Sequence, residues 1–178
     1  MGSFTSKCIG VVAGEDYHEL AFWYPVLRFR ELGAAVTVVG SDADKTYRSR
    51  LGYPVLPDAG IAVASGTKFD AIVLTEGAAP KSPADTDAVA FLTEASRTGA
   101  ILAALGAGEK ALGCAGLLRG RRVSASPEMR PELQSFGAEC IAEPVVVDGL
   151  MITARSVDDI PGFFRALLAA LDAANAKA

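Results

Sequence analysis

Four short apolar runs, each followed by a polar or glycine-containing turn, dominate the hydrophobic pattern of the chain. They cover residues 8–13, 35–40, 69–74 and 101–105. Their length and their lack of alternation are typical of buried strands. A helical pattern separates the first two runs, and this strand–helix–strand order predicts parallel pairing with a right-handed crossover.

Two segments between the strands have helical spacing. Residues 86–98 predict an amphipathic helix whose inward positions are Ala88, Phe91, Leu92 and Ala95. Residues 18–32 predict a helix ended by Gly33, on the spacing of Leu20, Trp23 and Leu27. Because a proline removes a backbone donor, Pro25 predicts a bend or restart within this helix.

The rest of the chain divides into shorter elements. The polar stretch 41–58 predicts an irregular excursion with short strands, and 121–124 and 127–136 predict a strand and a helix. Residues 143–153 predict a hairpin with an Asp-Gly turn. Ser156 is expected to cap a last helix, whose buried stripe is Phe163, Leu167, Leu168 and Leu171.

These elements predict one α/β domain over residues 1–178. The fold class is a three-layer sandwich: a mostly parallel, flavodoxin-like sheet with helices on both faces and a late β-hairpin. Residues 1–6 and 174–178 are expected to be flexible ends.

The composition argues against some classes of binding partner. The net charge of -4, with lysine and arginine dispersed among acids, argues against nucleic acid or an anionic membrane. Three cysteines without metal-binding spacing fit a reducing cytoplasm, and neither a signal peptide nor a bilayer-spanning run is expected.

The segment 101–109 is the most informative part of the chain. A buried strand, a sharp turn at Gly106-Ala107-Gly108 and a helix from Glu109 have the form of a nucleophile elbow. Glycine at its tip can attack nothing, so the elbow lacks its reactive atom. Its backbone N–H groups could still bind an anion or oxyanion, or the glycines could simply relieve strain.

Six further segments carry a recognisable pattern: residues 19–25, 51–55, 69–77, 115–123, 143–149 and 153–156. Together they resemble the ThiJ/PfpI superfamily, whose fold is that of the class I glutamine amidotransferases. The PfpI-like and isocyanide hydratase branches are most similar. The resemblance implies a homodimer with the site near the subunit boundary.

The chain departs from this superfamily at its chemical positions. The usual Cys-His pair corresponds to Gly106-Ala107, and a usual helix glutamate corresponds to Ala21. A second acidic position of some members corresponds to His18, and a Pro-Gly-Gly loop corresponds to residues 75–77. A frequent tyrosine corresponds to Ser126.

Three loops should meet where the predicted strands end, at residues 14–18, 75–80 and 106–109. The catalytic candidates are His18, able to transfer protons near neutral pH, and Glu76, able to replace the missing carboxylate. Each could equally be a solvated surface residue. The predicted substrate-binding residues are Glu15, Tyr17, Glu19, Gly77, Gly106, Ala107, Gly108 and Ser126.

Other polar residues can also be interpreted as surface residues that do not bind a ligand. Glu15, Asp16, Glu19 and Glu109 could serve mainly to complement helix dipoles. Arg48 and Arg50 could bind an anionic substrate group or be solvated. Cys114, two helical turns beyond the elbow, is expected to be a buried core residue.

Two functions remain open. The first is a small-molecule enzyme of the hydratase, dehydratase, isomerase or cyclase type, working by non-covalent acid–base catalysis without a metal or an organic cofactor. The second is a non-catalytic binding or regulatory pseudoenzyme. Convergence of His18 and Glu76 on one cavity favours the enzyme, and exposure of both to solvent favours the pseudoenzyme.

Overall fold

A seven-stranded sheet forms the centre of the molecule in the computed structural model, which describes residues 4–175. Its order is β10-β11-β7-β6-β1-β2-β5, with every neighbouring pair parallel except β10 and β11. Strands β3 and β4 pair separately, as do β8 and β9. The strands are β1 Cys8–Val12, β2 Ala35–Gly40, β3 Tyr47–Arg48, β4 Pro54–Val55, β5 Ala59–Gly60, β6 Ala71–Leu74, β7 Ile101–Leu105, β8 Arg122–Ser124, β9 Glu139–Ile141, β10 Val145–Asp148 and β11 Met151–Ala154.

Helices cover both faces of this sheet and bury a hydrophobic core on each. Helices α1 and α6 pack on one face, and α2, α3 and α4 pack on the other. The predicted three-layer α/β class is confirmed. The helices are α1 Glu19–Glu31, α2 Ile61–Ala64, α3 Thr86–Arg97, α4 Glu109–Cys114, α5 Arg130–Ser135 and α6 Ile160–Asn175, with 3₁₀ turns at Gly106–Gly108 and Val157–Asp159.

The apolar runs predicted the sheet closely. Strands β2 and β7 have the predicted bounds, and β1 and β6 differ from them by one or two residues. In α3 the buried residues are the four predicted ones. Continuous apolar runs identify these strands well because each is covered on both faces.

The leucine spacing that predicted α1 does not mark its buried face. Leu20 and Leu27 are more than half exposed, whereas Phe22, Val26 and Phe29 are fully buried. The aromatic side chains bury more area than the leucines, and they set the rotation of the helix. The helix also runs on through Pro25 without a restart, and Pro25 lies on its buried side.

The predicted flexible start is wrong for residues 4–6. The Phe4 side chain is buried, and its backbone N–H donates to the Leu32 carbonyl at 3.2 Å. Burial of the phenylalanine and this hydrogen bond offset part of the cost of ordering the segment. At the other end, 174–175 are helical, while residues 1–3 and 176–178 lie outside the described residues.

Most of the later elements follow the prediction. The hairpin forms, and β11 joins the sheet beside β7. Ser156 starts the last helical segment, but its hydroxyl donates to the Asp159 carboxylate at 3.1 Å instead of capping the backbone. The last helix buries Phe163, Leu167 and Leu171 as predicted, with Leu168 half-buried. Strands β5 and β9 and helix α2 were not predicted.

The excursion after β2 has the predicted irregular form with two short strands. Within residues 4–175 no helix is both long and apolar enough to cross a bilayer.

Candidate functional site

The loops after β1, β6 and β7 lie side by side because these three strands are neighbours in the sheet. Two of the loops touch through backbone alone. A Cβ built on Gly14 would overlap the Gly77 carbonyl, and one on Gly77 would overlap the Glu15 carbonyl. Gly77 also has a φ of +79°, which glycine adopts without strain. These glycines therefore fix the spacing of the first two loops.

The strand–turn–helix form of the elbow is confirmed. Gly106 has a φ of +57° at the end of β7, and a 3₁₀ turn leads into α4. Gly108 lies against the end of β6, where a Cβ would overlap the Leu74 carbonyl. The elbow is therefore held close to the loop that carries Glu76.

The Glu76 carboxylate lies over the tip of the elbow. Its Oε1 would be 3.5 Å from a Cβ on Gly106. Its Oε2 lies 2.8 Å from Arg50 Nη2, an ion pair without the alignment of a hydrogen bond. The Glu76 side chain is 23% exposed and that of Arg50 is 54% exposed. A carboxylate therefore stands where a side chain on residue 106 would reach.

His18 lies at the wall of a cavity of about 610 Å³ beside these loops. Its Nδ1 is buried and has no hydrogen-bond partner in the described part of the chain. Arg50 lines the same cavity and Glu76 does not, so the two catalytic candidates are connected only through the Arg50–Glu76 ion pair. The volume suits a small organic molecule. The lining residues are His18, Glu19, Leu20, Trp23, Arg50, Leu51 and Tyr53.

Tyr17 is fully buried, and its hydroxyl has two partners. It donates to the Tyr53 carbonyl at 2.9 Å and accepts from Trp23 Nε1 at 3.2 Å. Burial raises the pKa of the Tyr17 phenol. Tyr17 was predicted to bind substrate, but its position makes it a support for the cavity wall because its side chain has no exposed surface.

Glu19 lines the cavity but uses its carboxylate to hold the turn that carries Arg50. Its Oε1 accepts from the Leu51 N–H at 2.8 Å. A hydrogen bond from the Ser49 side chain, together with this one, lowers the pKa of Glu19. A carboxylate engaged in this way positions its neighbours more than it contacts a ligand.

Glu15 faces a different space. It lines a separate cavity of about 280 Å³ with Gly77 and Lys45, and its Oε2 lies 3.4 Å from Lys45 Nζ. The structure therefore does not bring Glu15 to the cavity wall that holds His18. Ala107 and Gly77 together line a smaller third space of about 180 Å³.

Ser126 lies in the turn that leads into α5. Its hydroxyl accepts from the Met129 N–H at 3.4 Å, and a hydrogen bond from it lowers the pKa of Glu128. These contacts give Ser126 a local role at the start of a helix. Its substrate-binding role stays a prediction.

Glu109 was expected to be a helix-start acid in contact with solvent, and this expectation is wrong. Its side chain is 1% exposed, and its Oε1 has no hydrogen-bond partner within residues 4–175. Burial alone raises the pKa of Glu109 to about 9. It is therefore a neutral carboxyl group at neutral pH.

Buried polar atoms without hydrogen-bond partners concentrate at this edge of the sheet, although Glu15 Oε2 and Glu76 Oε2 each have an ion-pair partner. Of six such atoms in the described residues, five belong to the three converging loops. Buried polar groups are normally hydrogen-bonded, so such a cluster is typical of a place that receives a ligand or ordered water. The five are Glu15 Oε2, His18 Nδ1, Thr75 Oγ1, Glu76 Oε2 and Glu109 Oε1.

None of the three thiols is activated. All are free, and burial is the main cause that raises the pKa of Cys8, Cys114 and Cys140. A reactive thiol needs a lowered pKa and access to its substrate. Cys114 is buried, as expected.

Comparison with known proteins agrees with this architecture. The chain matches the DJ-1/PfpI family over residues 7–170, and it belongs to that family. It is 30% identical to protein/nucleic acid deglycase 2 of Escherichia coli over 171 residues, covering 94% of this chain and 99% of that protein. It is also 30% identical to general stress protein 18 of Bacillus subtilis, covering 93% of this chain and 98% of that one.

A crystal structure from Anabaena variabilis has a similar fold. That two-domain protein contains DJ-1/ThiJ/PfpI-like and ferritin-like domains, and it superimposes with a TM-score of 0.87 at 28% identity. The match covers 93% of this chain and 48% of that one, so this chain spans about half of the two-domain protein.

The sequence left Arg50 as either an anion ligand or a solvated residue, and it did not predict the ion pair with Glu76. That ion pair joins residues 26 positions apart. The nearest sequence signal is the turn at Gly52-Tyr53-Pro54, which marks where the excursion reverses.

Proposed function

We propose that this protein is a small-molecule enzyme that uses Glu76 and His18 for non-covalent acid–base catalysis of a hydration, dehydration, isomerisation or cyclisation. The observation that carries the proposal is the Glu76 carboxylate over Gly106, 3.5 Å from the position of an absent Cβ. A proton acceptor thus stands at the point of the fold where the elbow presents its tip.

The proposed steps need only proton transfers. The substrate binds in the 610 Å³ cavity lined by His18 and Arg50 and extends past Arg50 to Glu76, whose carboxylate accepts a proton from a carbon or from water. In the dehydration direction, the imidazolium of His18 gives a proton to the departing hydroxyl group, which leaves as water. Proton exchange with solvent returns both side chains to their starting forms.

The names of some relatives suggest an assay for comparison. Two relatives at 30% identity, from Escherichia coli and Thermococcus kodakarensis, are named deglycases. The resemblance to the ThiJ/PfpI superfamily implies that such members carry an elbow cysteine, where this chain has Gly106. We therefore expect this chain to have no thiol-dependent deglycase activity, and a deglycase assay is a useful negative arm.

The test is a screen of a metabolite pool for ligands and for turnover. Ligands are found by thermal shift, since binding to the folded state raises Tm, and products are found by mass spectrometry. Glu76→Gln and His18→Gln should each lower turnover by about 10²- to 10⁴-fold. Glu15→Gln is the matched control, because Glu15 faces the separate cavity.

Each outcome decides between the candidate functions. Turnover that persists in Glu76→Gln contradicts the proposed role of Glu76. Ligands that stabilise the wild-type protein without any turnover identify a non-catalytic binding protein instead.

We also propose that the working form is a cytoplasmic homodimer. The three free cysteines fit a reducing compartment. Leu20, Leu51 and Tyr53 at the cavity rim, and Leu27 on the same helix as Leu20, are more than half exposed, an apolar surface that a second copy could cover. Analytical ultracentrifugation should give twice the mass of one chain, and Leu27→Glu should shift it toward the monomer.

A further inference from the structure

The turn that carries Arg50 is built as a fixed support. The Arg50 N–H donates to the Tyr17 carbonyl at 3.1 Å, and the next N–H, of Leu51, donates to Glu19. Ser49 closes the turn, because its Oγ accepts from the Tyr53 N–H at 2.9 Å. None of these bonds involves the Arg50 side chain, so the guanidinium is positioned by backbone whose bonds do not depend on it.

The Arg50 guanidinium faces both the Glu76 carboxylate and the 610 Å³ cavity. Glu76 is its only ion-pair partner within residues 4–175, and more than half of the side chain is exposed at the wall of the 610 Å³ cavity. A guanidinium presents five donors in a planar fork that matches a carboxylate. It therefore has donors available for a second anion approaching through the cavity.

The surroundings of Arg50 in the cavity are mostly apolar. Leu20, Trp23, Leu51 and Tyr53 line it. Glu19 is the one acid among the lining residues, and its carboxylate is held by hydrogen bonds from the Leu51 N–H and the Ser49 side chain. Arg50 has no such bonds from its side chain to the turn, so its N–H donors are the polar groups that remain for a ligand with an apolar body and one anionic group.

We propose that the ligand of this cavity is a small carboxylic acid with an apolar or aromatic body, whose carboxylate takes Arg50 away from Glu76. The proposal rests on the proposed function for the role of Glu76, and it adds the substrate class. When the ligand carboxylate pairs with Arg50, Glu76 loses its counter-charge. The Glu76 carboxylate is then released from its ion pair and can contact the substrate, so ligand binding itself frees the base.

The test measures binding alone, by calorimetric titration. The probes are benzoate, phenylacetate and 4-methylpentanoate, each compared with its own carboxamide. Proteins are the wild type, Arg50→Gln, Arg50→Lys, Glu76→Gln and the charge-matched control Arg119→Gln, since Arg119 is exposed on another part of the surface. Circular dichroism confirms that each variant is folded.

At least one carboxylate should bind about tenfold or more tightly than its amide, and Arg50→Gln should lose about tenfold or more of that affinity. Arg50→Lys should keep part of it. Glu76→Gln should bind the same carboxylate about threefold to tenfold more tightly, because the competing partner is gone. Arg119→Gln should match the wild type within about twofold.

Equal binding of every carboxylate and its amide would overturn the inference, and so would weaker binding by Glu76→Gln. The result is separate from the fate of the proposed function, because no turnover is measured. If the carboxylates bind in the expected order but no turnover is found, the proposed ligand class is supported and the proposed enzyme function is contradicted.

Discussion

The loop after β6 and the segment after β7 each place a glutamate beside the elbow, but the two carboxyl groups have opposite surroundings. Glu76 is partly exposed and has Arg50 as a counter-charge 2.8 Å away. Glu109 is buried without an ion-pair partner among residues 4–175, and burial raises its pKa to about 9. One side of the elbow thus has a paired carboxylate and the other a neutral acid.

The comparison shows that burial and ion pairing, rather than residue type, distinguish these two glutamates. At an active site, the general acid and the general base are usually two titratable groups whose surroundings give them different protonation states. Glu76 has access to the cavity wall through Arg50, whereas Glu109 is enclosed by protein. We therefore place Glu76 in the chemistry and treat Glu109 as a source of pH-dependent stability.

The largest expected effect concerns Glu109. Its pKa is about 9 in the folded protein and 4.5 in its ordinary state, so unfolding releases a proton between these values. Stability is therefore greatest below about pH 4.5 for this group and declines by about 1.4 kcal/mol per pH unit as the pH rises toward 9. Glu109→Gln cannot ionise, so relative to wild type it should gain roughly 4 kcal/mol between pH 5.5 and pH 8.5.

Urea unfolding across this pH range measures the effect. Glu31→Gln is the control, because Glu31 is an exposed acid at the end of α1. Parallel pH profiles for the wild type and Glu109→Gln would show that Glu109 ionises normally in the fold, and the contrast with Glu76 would fail.

The second effect compares the glycines of the two segments. Gly77→Ala places a Cβ onto the Glu15 carbonyl at a φ of +79°, and it should cost about 3 kcal/mol or more. Gly106→Ala meets nothing closer than 3.5 Å at a φ of +57°, so only the left-handed backbone opposes it, at about 1–2 kcal/mol. Denaturant midpoints at fixed pH give both values. Equal losses would mean that the two loops are not packed as described.

The smallest effect is the stability change on Glu76→Gln. The ion pair with the half-exposed Arg50 should contribute no more than about 1 kcal/mol. The same variant is expected to lose most turnover, so stability and activity should separate. A loss of stability as large as that of Gly77→Ala would make Glu76 a structural residue.

Much of the fold follows from the sequence because burial on both faces leaves continuous apolar runs. Strands β2 and β7 and the buried positions of α3 were predicted residue by residue. The buried face of α1 was not, because Phe22, Pro25 and Phe29 face inward in place of the leucines. Strand β5 and helix α2 are too short to give a periodic signal.

The sequence predicted which loops form the candidate site but not which side chains pair with one another there. Neighbouring parallel strands bring their following loops together, so the meeting of three loops needed only the strand order. The ion pair of Arg50 with Glu76 depends on how the excursion turns back toward α1. The burial of Glu109 depends on tertiary packing around α4, which a helix-start pattern does not contain.

Gly14 and Gly77 hold two loops together through main-chain atoms alone. The neighbours of this contact, Glu15 and Glu76, project side chains that take no part in it. Substituting those side chains therefore leaves the main-chain contact in place. Variants at both neighbours, with the glycines kept, would change the charge above the elbow and in the separate 280 Å³ cavity at little risk to folding.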